Sequence, residues 1–220
     1  MLKRRLDNLN GIKGSTLNNG LISWYQLGSN IKDSKNENNP ILTGESNFLN
    51  FNGLDCLKFT GDDYLDLGTN FQGLINYSFS MSMFFYANST NRTFQGLLFS
   101  NVGDHNALGS HINLESNSIH VNVNNFFLIN IYPKNLFNSW NNLVITYDGS
   151  KIICYINKIK TYKNYSSYVN LNPNENFFIG RFNVSNRNLI GYMSQVGIWN
   201  RALTDNEVDS LYNDGNGVSY

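Results

Sequence analysis

From Leu21 onward, apolar residues come in short blocks or strict alternation. A helical period appears only near the end of the chain. LISWYQL opens as a mainly apolar strand, and turn residues fill the stretch Ser29–Pro40 behind it. NFLNF, DCLKFT and DYLDL follow, with Gly61, Asp62 and Asp63 as the turn between the last two. YSFSMSMFFYA alternates cleanly, with Phe79, Met81 and Met83 on one face and Ser78, Ser80 and Ser82 on the other. GLLFSN, HINLE, SIHVNVN and FFLINI continue the series, and LVITYDGSKIICYIN reads as a hairpin with a tight Asp148–Gly149 turn. NFFIGRF and LIGYMSQVGIW close it. Strands at intervals of roughly 8–12 residues, joined by Gly and Asn turns, predict an all-β, two-sheet antiparallel sandwich or jelly roll. One short C-terminal helix is legible. Thr204-x-x-Glu207 is a capping box, Val208, Leu211 and Tyr212 form one apolar face, and Gly215 is the expected C-terminal cap.

Residues 1–19 follow another pattern. Leu2, Leu6, Leu9 and Ile12 recur at helical spacing, with Lys3, Arg4 and Arg5 between them and Gly11 and Gly14 after. This predicts a short amphipathic arm ahead of one domain over residues 20–220, too short to be stable alone. Two readings stand. The arm docks on its own domain, or Leu2, Lys3, Arg4, Arg5, Leu6 and Leu9 anchor it in a partner protein.

Composition supports strands and turns. Of 220 residues 40 are Asn and 3 are Ala, alongside Tyr 13, Phe 15 and Gly 18. Asn favours turns over helices and Ala is the best helix former. An AT-rich genome explains part of this bias. Lys+Arg 16 and Asp+Glu 16 give a net charge of +0, which argues against a nucleic-acid partner. No apolar run is long enough to insert in a membrane. The basic N-terminus has no apolar run of about seven behind it and is not a secretory signal. The two cysteines, Cys56 and Cys154, lie far apart in apolar stretches without metal-binding spacing. They read as buried free thiols, with a disulfide as the alternative. Five N-glycosylation sequons start at Asn76, Asn88, Asn91, Asn164 and Asn183, about as many as chance gives for this composition.

Several segments together resemble the concanavalin A-like jelly rolls of the laminin-G and pentraxin group, in particular the laminin-G-like domains of bacterial and viral surface proteins. GLISWYQL at Gly20–Leu27 is similar to that family's opening strand, and DSKNENN at Asp33–Asn39 to its polar loop. CLKFTGDDYLDL at Cys56–Leu67 and YSFSMSMFFYA resemble the next strands. WNNLVITYDGSKIICYIN at Trp140–Asn157 and LIGYMSQVGIWNRALTDNEVDSLYN at Leu189–Asn213 carry the most specific likeness. The resemblance covers about residues 20–214 in order. It implies a lectin-like sandwich in which Trp24, Trp140 and Trp199 are packing aromatics.

The departures bear on function. Some relatives hold calcium near an acidic pair before the last strand, and the matching positions here are Ser194 and Gln195. Calcium draws most of its attraction from carboxylates, so a bound ion is not expected there. Asp33, Asp62, Asp63 and Asp66 remain as candidate ligands, although Asp62 and Asp63 fit ordinary turn chemistry. The glucan-cleaving enzymes of the superfamily align carboxylates as E-x-D-x-E on one strand. Glu37, Glu45, Glu115, Glu175 and Glu207 are scattered, so that mechanism is not expected. His105, His111 and His120, with Asp104, offer a metal set on paper but read more plainly as loop and strand-face residues. For a glycan the expected site is a loop rim bearing Tyr162, Tyr165 and Tyr168, with Asn164, Asn170 and Asn172 as hydrogen-bonding amides. The alternative is that these tyrosines cap the edge of the sandwich.

The resulting expectation is a non-enzymatic recognition module without cofactor, binding a glycan or a protein. Met at the start without a secretory signal, in a domain type used mostly outside cells, points to a virion surface protein docked by its arm to other virion proteins. A bacterial surface or extracellular protein is the alternative location. A purely structural capsid or fibre component is the alternative role, and a glycan-active enzyme the remote one.

Overall fold

The computed structural model describes residues 12, 15–45, 47–69, 71, 78–90, 92–100, 110–123, 126–166, 176–182 and 185–220. At residues 99, 100, 110, 123, 126–128 and 185 it describes the backbone only. In chain order the described strands are β1 (Leu21–Tyr25), β2 (Ile41–Thr43), β3 (Phe48–Phe51), β4 (Leu54–Thr60) and β5 (Tyr64–Asp66). Then come β6 (Phe79–Ala87), β7 (Phe94–Ser100), β8 (Ser110–Glu115), β9 (Ser118–Val123) and β10 (Phe126–Ile131). The last are β11 (Trp140–Tyr147), β12 (Lys151–Ile156), β13 (Ile159–Asn164), β14 (Phe177–Ile179) and β15 (Ile190–Trp199), followed by helix α1 (Asp205–Tyr212).

Two antiparallel sheets stack as the alternation predicts. One has eight strands in the order β13-β12-β11-β6-β15-β4-β3, with β1 also pairing β15. The other has seven, in the order β10-β9-β8-β7-β14-β5-β2. Phe79, Met81, Met83 and Phe85 of β6 enter the core between them, with Leu143 and Ile145 of β11 and Ile112, Leu114, Ile119 and Val121 of β8 and β9. The period of two sends every second residue of each strand inward. In β15 the register shifts between Ser194 and Gly197, where Gln195 adopts a positive φ of 54°. This bulge lets β4 pair the first half of β15 and β1 the second.

A second core lies on the outer face of the eight-stranded sheet. Trp24, Val144, Tyr155 and Trp199 pack there under Leu203, Val208 and Leu211, together with Ile12 and Leu17. The predicted capping box of α1 is present. Its C-terminal cap is Asn213 in the left-handed conformation (φ 46°), two positions before the expected Gly215. Arg201 ties this end together. Its guanidinium donates to both Glu207 carboxylate oxygens at 2.7 and 2.8 Å, to Asn19 O at 2.7 Å and to Thr16 O at 3.0 Å. Burial would raise the Glu207 pKa, but these hydrogen bonds, those of Thr204 and the Arg201 charge hold it down at about 2.

Several expectations change in detail. Ile12 is fully buried, and its N–H donates to Ser219 O at 2.8 Å. Trp199 Nε1 donates to Leu17 O at 2.7 Å. The packing of the domain therefore reaches back past Gly20 to Ile12, because this segment closes the second core. Leu2, Lys3, Arg4, Arg5, Leu6 and Leu9 lie outside the described residues. The hairpin after β11 turns at Gly149 and Ser150, while Asp148 braces it by accepting from the Ser150 and Lys151 N–H groups at 2.9 and 2.8 Å. Cys56 and Cys154 are both buried free thiols. Burial pushes the Cys56 thiol up to about 11 and raises that of Cys154 as well, so neither is reactive near neutrality.

Candidate ligand-binding site

The tyrosines expected on a loop rim are arranged otherwise. Tyr162 and Asn164 lie on β13, a fully exposed edge strand. A short polar sequence suits an edge, which explains why it reads as a connection. Tyr162 is 62% exposed, with the Lys151 ammonium 5.1 Å from its ring. Tyr165 is half-buried against the main core, 6.1 Å from the Tyr147 ring. The two tyrosines therefore differ in environment, Tyr165 packing on the core and Tyr162 lying open on the edge strand. Tyr168, Asn170 and Asn172 lie outside the described residues.

The acidic candidates are occupied by the backbone. Asp33, 2% exposed, accepts from the N–H groups of Trp24, Lys35, Glu37 and Asn38 and from the Ser23 hydroxyl. Asp63 accepts from the N–H groups of Glu45 and Thr60 and from the Thr60 hydroxyl. Both carboxylates organise loops rather than facing a common ion. Asp62 is exposed in its turn. Ser194 donates to Asp55 O at 2.7 Å, and Gln195 Oε1 accepts from Val218 N–H at 2.6 Å. Among the described residues, no three His, Cys, Asp or Glu side chains are grouped to hold a metal. His105 and Asp104 are outside the described set. Trp24 and Trp199 are core aromatics, whereas Trp140 is half-buried on the outer sheet face beside Tyr86 (5.9 Å), its indole N–H donating to Phe51 O at 3.0 Å.

The cluster that the sequence did not reveal is on the outer face of the seven-stranded sheet. Phe177 and Ile179 of β14 point into the core, so Phe178 points out and joins Phe182 and Tyr64. Behind β14, the stretches 181–182 and 185–188 lie over the sheet as a strap. Gly96 of β7 makes this crossing possible. A Cβ there would stand 2.1 Å from Arg181 O and 2.6 Å from Phe182 N. Asn188 fastens the other end. Its Oδ1 accepts from Phe182 N–H at 3.3 Å, and its backbone bridges Gly96.

Rings and guanidinium groups alternate along this strap. Arg181 lies 4.4 Å from the Phe178 ring and 4.5 Å from the Tyr64 ring. Phe182 stacks on Phe94 with centroids 6.0 Å apart and planes within 10°, and meets His111 edge-on at 5.3 Å. Arg187 lies 4.4 Å from the Phe94 ring. Arg92 donates to Asn188 O at 3.0 Å and Gly61 O at 3.4 Å. Between them opens a cleft of about 340 Å³ lined by Arg92, Thr93, Phe94, Asn186 and Arg187. Beyond it β8, β9 and β10 present a polar face, in which Asn113 pairs His120 and His120 pairs Asn130 in register. The Oδ1 atoms of Asn113, Asn122 and Asn130 are buried without a hydrogen-bond partner. An acceptor left so costs about 1–3 kcal/mol until water or a ligand supplies a donor. Nearby, the His120 ring contacts Glu115 at 2.9 Å, and burial lowers its pKa against the pull of that carboxylate.

A rigid aromatic surface, fixed cations and side-chain amides on a sandwich face can hold a ligand by stacking and hydrogen bonding without any chemical step. The Laminin_G_3 profile of the concanavalin A-like lectin/glucanases superfamily matches residues 59–209. The chain belongs to this family. No curated protein sequence matches it significantly. Among solved structures it is similar to domain 4 of AbnA, a GH43 extracellular arabinanase from Geobacillus stearothermophilus, determined in complex with arabinotriose. The TM-score is 0.68 at 16% identity, over 86% of this chain and 96% of that domain. It is also similar to the botulinum neurotoxin serotype D/C binding domain, with TM-score 0.70 at 17% identity over 90% of this chain and 52% of that one. The binding domain of Paraclostridial Mosquitocidal Protein 1 gives 0.68 at 18%, over 90% and 52%. The chain thus spans about half the length of these toxin binding domains. At such identities the likeness establishes the lectin-like jelly roll, and these neighbours are mostly binding domains. No described helix is long and apolar enough to cross a membrane.

Proposed function

We propose that this family member is a non-enzymatic recognition module that binds carbohydrate at the cleft on the outer face of its seven-stranded sheet. The observation that carries the reading is the Gly96-dependent strap, which sets Phe94, Arg187, Thr93 and Asn186 around one small opening. Two similar domains support it. Domain 4 of the arabinanase was solved with arabinotriose, and the serotype DC toxin binding domain with SialylT. The latter domain was also solved with rat synaptotagmin II, which keeps a protein ligand as the second reading. The test is binding to a glycan array, repeated with Asn186→Ala and Thr93→Ala. Both residues are exposed, so binding should weaken while melting stays unchanged. Binding unaffected by both would remove the site, and release of reducing sugar from a bound glycan would remove the non-enzymatic reading.

We further propose a virion surface location, with residues 1–11 as the attachment arm to other virion proteins. The leucine spacing and basic cluster of that stretch support it. So does its continuation into Ile12 on the outer face of the eight-stranded sheet, opposite the cleft. Labelling intact particles with an antibody to the domain tests the location. A protein found only in the host cytosol or on a bacterial surface would refute it.

A further inference from the structure

We infer that the cleft selects a glycan carrying a negative group, either a carboxylate or a sulfate ester. This inference rests on the carbohydrate-binding reading and names its ligand class. Arg181 and Arg187 lie on the strap, and Arg92, just ahead of β7, joins them by donating to Asn188 O at 3.0 Å. Among the described residues, the ion pairs of lysine and arginine use Lys158, Lys160 and Arg201, and none of Arg92, Arg181 and Arg187 has a carboxylate partner. The chain as a whole has net charge +0, so this patch is a local excess rather than a reflection of a basic protein.

Arg187 is the central case. A guanidinium has five N–H donors and no acceptor. Here one face rests on Phe94 at 4.4 Å, and among the described residues no oxygen accepts from it. The ring holds the planar fork in place, so less side-chain entropy is lost when an anion is taken up. Carboxylate and sulfate oxygens match this fork in a paired geometry. Arg92 differs, because it already donates to two carbonyls. It adds charge and holds the wall in position. Thr93 and Asn186, both exposed, offer a hydroxyl and an amide for sugar hydroxyls. At about 340 Å³ the opening is at the small end of ligand clefts and suits a short unit. Glu115, opposite Phe94 in register and 2.9 Å from His120, brings a negative charge that opposes an anion, so the arginines must outweigh it.

The test is calorimetric titration of the full chain with charged and neutral sugars. Sialyllactose is compared with lactose, trigalacturonate with its carboxyl-reduced form, and a sulfated disaccharide with its desulfated form. At least one charged member should bind about tenfold or more tighter than its neutral counterpart. The advantage should shrink as salt rises from about 50 to about 500 mM. The pair that shows it distinguishes carboxylate from sulfate. In Arg187→Gln the advantage should fall to about twofold or less, with Arg92→Gln, on the same cleft wall, as the second variant if the first unfolds. Equal binding of charged and neutral members overturns the anionic selection and leaves carbohydrate binding standing. No binding of any glycan overturns both. Preference for polyglutamate over every sugar overturns the ligand class and favours an acidic protein partner.

Discussion

Gly96→Ala adds one methyl group at the point where the strap crosses β7. Its Cβ would stand 2.1 Å from Arg181 O, whereas ordinary van der Waals contact begins near 3.4 Å. The atom in the way is backbone, so the side chains cannot relieve the clash by rotating. The strap must lift by about 1.3 Å, the difference between those distances. That movement loosens the Phe182 N–H bond to Asn188, now 3.3 Å, and the stack of Phe182, 3% exposed, on Phe94. Overpacking of this kind costs about 1–3 kcal/mol, which for a chain of this size lowers Tm by roughly 2–12 °C. Binding should suffer more than stability, because Arg181, Phe182 and Arg187 all ride on the displaced segment. The assay pairs a thermal melt with titration of whichever sugar binds the unmodified protein. Unchanged Tm with unchanged affinity would falsify the crossing geometry. Reduced Tm with full affinity would show that the strap is structural but not part of the site.

Glu207 should make stability acid-sensitive. With its pKa held at about 2 instead of 4.5, its contribution is full above pH 4.5 and is lost as pH falls toward 2. The shift corresponds to about 3 kcal/mol at most, so Glu207→Gln should lower Tm at pH 7 and flatten the fall of Tm between pH 5 and about 3. Asp33→Asn should cost about 2 kcal/mol, because an amide cannot accept from four backbone N–H groups as a carboxylate does, and a urea melt reads it. Tyr165→Ala should lower Tm while Tyr162→Ala leaves it unchanged, since only Tyr165 packs on the core; equal effects would contradict that assignment. Glu115→Gln should tighten an anionic sugar by roughly two- to fivefold, and weaker binding would place Glu115 among the ligand contacts.

The parts of the fold that were legible in the sequence are those whose signal is local. Alternation in Phe79, Met81 and Met83 fixed the inward face of β6, and Thr204 and Glu207 marked the start of α1 within four residues. The edge strand β13 was missed because all six of its residues are exposed and carry no alternation. β2 was missed because it is three residues long, too short for the alternation of one half-buried Leu42 between two exposed neighbours to register. The site was illegible because it is non-local. Gly96 reads as an unremarkable strand glycine until Arg181 is found above it, 85 positions later in the chain. Likewise Tyr64, Phe94 and Phe178 share a face only after β5, β14 and β7 become neighbours. A usable hint did exist. Arg181, Phe182 and Arg187 put two cations and an aromatic within seven residues of an otherwise polar connection.

The two outer faces of the sandwich are covered to different extents among the described residues. On the eight-stranded sheet the helix, Ile12, Leu17 and the C-terminal Val218 and Tyr220 cover the aromatics Trp24 and Trp199, and Arg201 clamps helix and N-terminal segment with four donors. Ile12 N–H donates to Ser219 O, so both ends of the described chain meet on that side. On the seven-stranded sheet, among the described residues, the strap leaves arginines, the exposed Asn186 amide and a cleft uncovered. Ile12, the first described residue, thus lies on the side away from the cleft. Under the proposed reading, an attachment through the N-terminal side would leave the proposed ligand site open to solvent.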